Sequence, residues 1–287
     1  MIKTVFKLLL CIFVYTIVFM VASAIMPFSK NFGSSDPNAM LFMLITCAWS
    51  CFTMYFIIKH SNFNSKKLFF NVILIMFFIQ FFMAQIETLF FGDAFSALTK
   101  LDIILIMLVG FFPLSATAPL LIKFFHNKSA ATVKNEIDIK TISIKLGIIG
   151  IIYLFVYMLF GYFVAWQFEE VRLFYTGSTE KLGFLGQLVN NMRTNSIIYP
   201  FQILRGILFG IIIIPLKNMF NKKHIFIISI CLAYLCIIVQ IIIPSSFLPT
   251  IVRMAHLLEV GSSMIVFGII VGNMLWDKKK PAPNTGL

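Results

Sequence analysis

Charge is scarce in this chain of 287 residues: 12% of positions are Asp, Glu, Lys or Arg, and only eleven are acidic. Arginine is scarcer still, with four against nineteen lysines. With 60% of residues apolar and a mean hydropathy of +0.97, a soluble domain is excluded. It could not hide that much apolar surface, so lipid must cover part of it. No Walker motif, dinucleotide-binding glycine fingerprint, GxSxG elbow or HExxH helix occurs. No internal repeat is discernible, which leaves an inverted-repeat transporter unsupported. The five cysteines, Cys11, Cys47, Cys51, Cys231 and Cys236, all fall inside apolar runs, so no disulfide framework is expected. Cys47 and Cys51, four apart on a helix, read as small buried thiols rather than metal ligands. No metal, no cofactor and no catalytic residue is assigned.

What is present is lysine, in a pattern. The net charge of +12 comes in short clusters flanking apolar runs, as in membrane topology signals, so no nucleic-acid partner is expected. A crossing helix needs about 20 mostly apolar residues at 1.5 Å rise each. Eight segments qualify, at 5–26, 40–58, 68–91, 101–122, 146–166, 197–216, 225–243 and 254–275. Sixteen lysines fall in every second connecting segment: Lys3 and Lys7, then Lys59, Lys66 and Lys67, then the five from Lys123 to Lys145, then Lys217, Lys222 and Lys223, and finally Lys278, Lys279 and Lys280. The other connections hold Lys30, Lys100 and Lys181.

By the positive-inside rule both termini are cytoplasmic. The expectation is an all-α, polytopic transmembrane bundle of eight spans. It forms a single integral membrane domain over 1–287 in a bacterial-type plasma (inner) membrane, with a cytoplasmic tail at 276–287. An alternative makes the first segment a signal peptide cleaved after Ala24, but its apolar core is longer than such peptides use. Tyr162, Trp166 and Trp276 close their spans as interfacial aromatics do. In the longest outer connection, 167–196, Leu182, Leu185, Leu188, Val189 and Met192 recur at helical spacing, which predicts a short amphipathic helix on the outer leaflet.

An ionisable group inside a span costs about 2.5–3.5 kcal/mol on insertion scales, so it normally faces protein or water. Three spans carry such groups, all in the outer half of the membrane. The third holds Gln80, Gln85 and Glu87; the sixth holds Gln202 and Arg205; the eighth holds Arg253, His256, Glu259 and Ser263. At about 100° per residue, Gln80, Ala84 and Glu87 share a face, as do Gln202, Arg205 and Gly206, and as do His256, Glu259 and Ser263. Gly268 and Gly272 form a GxxxG spacing on the opposite side of the eighth span, open to close approach by a neighbouring helix or by a homo- or hetero-oligomeric partner. All four arginines lie outside or within the membrane, and Arg offers a planar fork for carboxylate or phosphate. Pro113 and Pro119 bracket Ser115 and Thr117 in the fourth span, which predicts a kink or a break there.

These groups support an outward-facing intramembrane pocket that binds or transports an anionic or zwitterionic small molecule or lipid headgroup. Arg205 and Arg253 would hold the anion, and Glu87 and Glu259 would balance charge. The same residues also permit purely structural pairs, Glu87–Arg205 and Glu259–Arg253. A carboxylate–imidazole site built on His256, Glu259 and Glu87 stays open. Two other classes remain: an enzyme acting on lipid or lipid-linked substrate at the outer leaflet, and a sensor or scaffold subunit.

Overall fold

A computed structural model describes residues 2–29, 36–127 and 138–276. The expected lysines at 30, 128, 134 and 278–280 lie outside the described residues, as does the expected tail beyond Trp276. Every regular element described is helical; one isolated bridge joins Ser245 and Leu248. Eight helical stretches are long and apolar enough to cross a membrane, which makes this a multi-pass membrane protein by length and composition.

In chain order the elements are α1 (Ile2–Ile25), α2 (Ala39–His60), α3 (Ser65–Phe77), a π-helical segment (Phe78–Phe82), α4 (Met83–Phe90), α5 (Lys100–Phe125) and α6 (Ile139–Phe163). A 3-10 turn (Ala165–Gln167) precedes α7 (Glu169–Thr176) and α8 (Phe184–Thr194). Then follow α9 (Ile198–Met219), α10 (Lys223–Leu235), a second 3-10 turn (Cys236–Ile238), α11 (Val239–Ile242) and α12 (Thr250–Leu275). The third span is therefore α3, the π segment and α4, and the seventh is α10 to α11.

Helix starts follow local chemistry. Thr99 and Asp102 form a capping box at α5, with Asp102 Oδ2 accepting from the Thr99 N–H at 2.9 Å. The other carboxylate oxygen of Asp102 accepts from the Ser29 N–H at 2.8 Å, tying the α1 exit to the α5 start. Lys7 sits over the Phe124 ring at the far end of the same pair, so α1 and α5 are antiparallel. Asn64 caps α3 and Asp138 caps α6. At the lysine-bearing end the Asn62 N–H donates to the Met219 carbonyl, and Phe226 meets Trp276. Phe95 against Phe174 ties the opposite end together.

Two seams close at backbone distance. A Cβ on Gly206 of α9 would lie 2.5 Å from Tyr153 Cβ and 2.8 Å from Gly150 Cα of α6. One on Gly272 of α12 would lie 2.8 Å from the Ile227 side chain of α10, and one on Gly268 would lie 3.0 Å from Cys231. The GxxxG face therefore docks α10 of the same chain, and is not free for the oligomeric partner expected there. Between the seams Tyr153, Phe209, Tyr234 and Phe267 form an aromatic layer with centroids 5.0–5.4 Å apart along its edges, Tyr234 stacked on Phe267 at 13°. On the outside Phe6, Phe13, Phe70, Phe155 and Phe163 are exposed, as lipid-facing side chains are.

No break falls at the prolines of the fourth span. α5 runs through Pro113 and Pro119 as one helix, and the buried hydroxyls of Ser115 and Thr117 have no hydrogen-bond partner among the described residues. The breaks are the π segment of the third span and the 3-10 turn of the seventh, which pack against each other. Gln240 of α11 bridges them, its Nε2 donating to the Gln80 carbonyl at 2.9 Å.

The glycine seam gives a direct test. Gly206→Ala should lower stability in detergent by about 1–3 kcal/mol, as overpacking does. Gly261→Ala, with nothing within 4 Å of its added carbon, should leave the thermal midpoint unchanged or slightly raised.

Candidate functional site

α4, α6, α9 and α12 enclose a cavity of about 610 Å³, covered on one side by α7 and α8. That size suits a small molecule. Six of the expected residues line it: Gln85, Glu87, Arg205, His256, Glu259 and Ser263.

Arg205 is the anchor. It is 1% exposed, and its Nη2 donates to Glu87 Oε2 at 2.7 Å and to the Met83 carbonyl at 3.3 Å. Its Nη1 donates to Gln202 Oε1 at 3.0 Å. The rings of Tyr153, Phe201 and Phe209 lie 5.6–6.0 Å from the guanidinium carbon, so aromatic faces surround the charge. Its Nε has no hydrogen-bond partner among the described residues. Glu87 is 30% exposed, and both partners line the cavity. One of the two structural pairs read from the sequence, Glu87–Arg205, is thus formed.

The other pair is not. Glu259 Oε2 meets His256 Nδ1 at 2.8 Å, and its second oxygen lies against Gly161 of α6. His256 Nε2 meets the Tyr175 hydroxyl at 3.0 Å, making a chain of three groups, Tyr175–His256–Glu259. Either protonation state of the imidazole completes that chain: neutral, Nε2 accepts from the phenol; protonated, Nε2 donates to it. Tyr175, on α7 outside the spans, packs edge-on against Phe91 and Phe174. Burial, together with the carboxylates of Glu87 and Glu259, pushes its phenol well above the ordinary range, so it stays a neutral hydroxyl.

Three expected residues stand off the cavity. Arg253 donates to the Ile242 carbonyl at 2.8 Å and lies over the Phe42 ring, satisfying the free C-terminal end of α11 rather than a ligand. Gln80 accepts from Ser50 of α2 at 3.2 Å. A π turn takes about one more residue than an α turn, so it displaces the helical phase by roughly 100°. Gln80 therefore leaves the face shared by Ala84 and Glu87, while Gln85, on the same regular helix as those two, also lines the cavity and donates to Gln240 Oε1. Gln202 lies behind Arg205 as its partner. Arg172 is a brace as well, donating to the Trp166, Gln167 and Thr179 carbonyls of its own connection.

Reading the apolar runs missed several groups. Tyr175 sits in a connection, and Gln187, Asn190, Asn191 and Thr194 sit on the polar face of α8, which lines the cavity. The signal was in the same helical period that marks Leu185, Val189 and Met192 as the opposite, exposed face. Among the described residues no group of three or more His, Cys, Asp or Glu is placed to hold a metal ion, so the arrangement of His256, Glu259 and Glu87 as ligands does not form.

The pair predicts strong coupling. Arg205→Ala should reduce folded yield, because it strands Glu87, and Glu87→Ala should reduce it further by leaving a buried guanidinium. The double variant Arg205→Met with Glu87→Gln should recover stability, with a coupling energy of about 1–3 kcal/mol in a detergent unfolding cycle. The chain matches no protein-family model, no curated protein and no solved structure, so its functional reading rests on this geometry.

Proposed function

We infer that the chain is a transporter or binding protein for a small zwitterionic molecule or lipid headgroup, taken into the cavity between α4, α6, α9 and α12. The observation that carries this is Glu87: a charged side chain facing an intramembrane cavity, held there by a guanidinium buried behind it. Intramembrane ionisable groups mark substrate paths as a rule. The lysine-rich end is taken as cytoplasmic and the α7–α8 end as outer, following the alternation of lysines along the chain. α8 then lies at the outer interface, apolar face to lipid and amide face to the cavity. The anion-holding role of Arg205 and Arg253 is set aside, since Arg205 is 1% exposed and paired with Glu87, and Arg253 is turned to the Ile242 carbonyl and does not line the cavity. Tyr175, His256 and Glu259 supply a hydrogen-bonded route for a coupled proton.

A second reading, catalysis on a lipid substrate at the outer leaflet, is favoured by one detail. His256 is held at both ring nitrogens, with Glu259 orienting it and Tyr175 facing the volume, as in a base-and-orienter arrangement.

Orientation and transport are tested together. Ser178→Cys should react with an impermeant maleimide in intact cells, and Lys66→Cys only after permeabilisation; the reverse result sinks the assigned sidedness. Ser263→Cys, inside the cavity, should react with an impermeant thiosulfonate in right-side-out vesicles and, more slowly, in inside-out vesicles. Labelling confined to right-side-out vesicles rules out transport and leaves binding or catalysis from the outer side.

A further inference from the structure

We propose that the cavity selects lipophilic cations, molecules that carry an ammonium-type charge on an apolar body, and rejects lipophilic anions. This rests on the reading of the cavity as a small-molecule binding site and replaces the zwitterion named above with a cation as its occupant. The charge inventory comes first. Among the described residues lining the cavity, Glu87 and Glu259 are the carboxylates and Arg205 is the one Arg or Lys. Two carboxylates against one guanidinium leave one net negative charge while His256 is neutral.

Position matters more than the count. Arg205 is 1% exposed, its Nη1 and Nη2 donate to Gln202, Met83 and Glu87, and its faces are covered by Tyr153, Phe201 and Phe209. Both Glu87 and Arg205 line the cavity, but Glu87 is the accessible one, 30% exposed against 1% for Arg205. An anion there would find the terminal nitrogens of Arg205 already engaged and its Nε buried, and would face two carboxylates across a low-dielectric space, where opposition is costly.

The walls agree with the charge. Phe91, Tyr157, Tyr162, Trp166, Tyr175 and Phe247 are among the lining residues. Aromatic faces attract cations through their negative quadrupole, more strongly when water is excluded, and repel anions by the same term. Carboxylates set among aromatic rings form the recognition chemistry of quaternary ammonium and phosphonium groups. The amides of α8 are neutral and discriminate neither sign.

Trp166 is a built-in reporter. The chain has three tryptophans, Trp49, Trp166 and Trp276, so Trp49→Phe with Trp276→Phe leaves a single fluorophore in the cavity wall. Purified protein in a neutral detergent is titrated with tetraphenylphosphonium, with its near-isosteric opposite tetraphenylborate, and with a short-chain phosphocholine. The expected result is a saturable change with the phosphonium and none with the borate. Glu87→Gln should weaken the phosphonium by about tenfold or more, whereas Glu169→Gln, on the exposed start of α7, should not. If Glu87→Gln alone fails to fold, the pair Arg205→Met with Glu87→Gln serves, and it should show the same loss.

Saturable binding of the borate but not the phosphonium overturns cation selectivity and leaves the binding cavity standing. A response to the phosphocholine with none to the phosphonium does the same. Unchanged phosphonium affinity in the Glu87 variants also overturns the proposal. A Trp166 signal that responds to none of the three removes both the cation inference and the functional reading beneath it.

Discussion

A guanidinium cannot be left alone in hydrocarbon, and that constraint on Arg205 organises the cavity half of the molecule. Its donors reach across to α4 for Glu87 and the Met83 carbonyl and back along α9 for Gln202. To bring those acceptors within 3.3 Å, α4 and α9 must approach at one depth and one rotation. The π segment sets the rotation of α4, and the Gly150–Gly206 seam sets that of α9 against α6. The aromatic layer of Tyr153, Phe209, Tyr234 and Phe267 then seals the space beneath the pair. The ion pair, the seam and the rings are one packing solution.

The second polar unit uses a different economy of contacts. His256 and Glu259 are one turn apart on α12, so their meeting is local and is set by helical geometry alone. Tyr175 is the long-range partner, and it arrives from α7, an element with no place in the membrane pattern. The cavity is thus bounded by spans on most sides and by two short helices on the remaining one.

The coarse fold was legible in the amino-acid sequence because length and hydropathy set helix existence directly. Each of the eight apolar runs coincides with a helical stretch, with ends displaced by a few residues; α6 extends furthest, starting at Ile139 rather than 146. Depth in the membrane was also a sound guide to partnership for Glu87 and Arg205. Phase was sound only where the helix is regular. It placed His256, Glu259 and Ser263 together, and it failed at Gln80, where an added residue per turn breaks the count. Arg253 was misread because a free carbonyl at the end of a four-residue helix is not visible until that helix is seen to stop. α8 was read from its apolar stripe, although the polar stripe carries the lining amides.

The Gly150–Gly206 contact has a mechanical corollary. Two helices touching main chain to main chain have no intervening side chains that can change rotamer, so α6 and α9 cannot slide past one another without a clash. They behave as a stiff paired beam. Any breathing of the enclosed volume is therefore borne by the walls opposite, where α12 meets α7 and where α8 and the segment leading into it are held by the Tyr199 hydroxyl on the Leu188 carbonyl and the Tyr162 hydroxyl on the Leu182 carbonyl. Two phenol tethers are a light hinge beside a glycine weld.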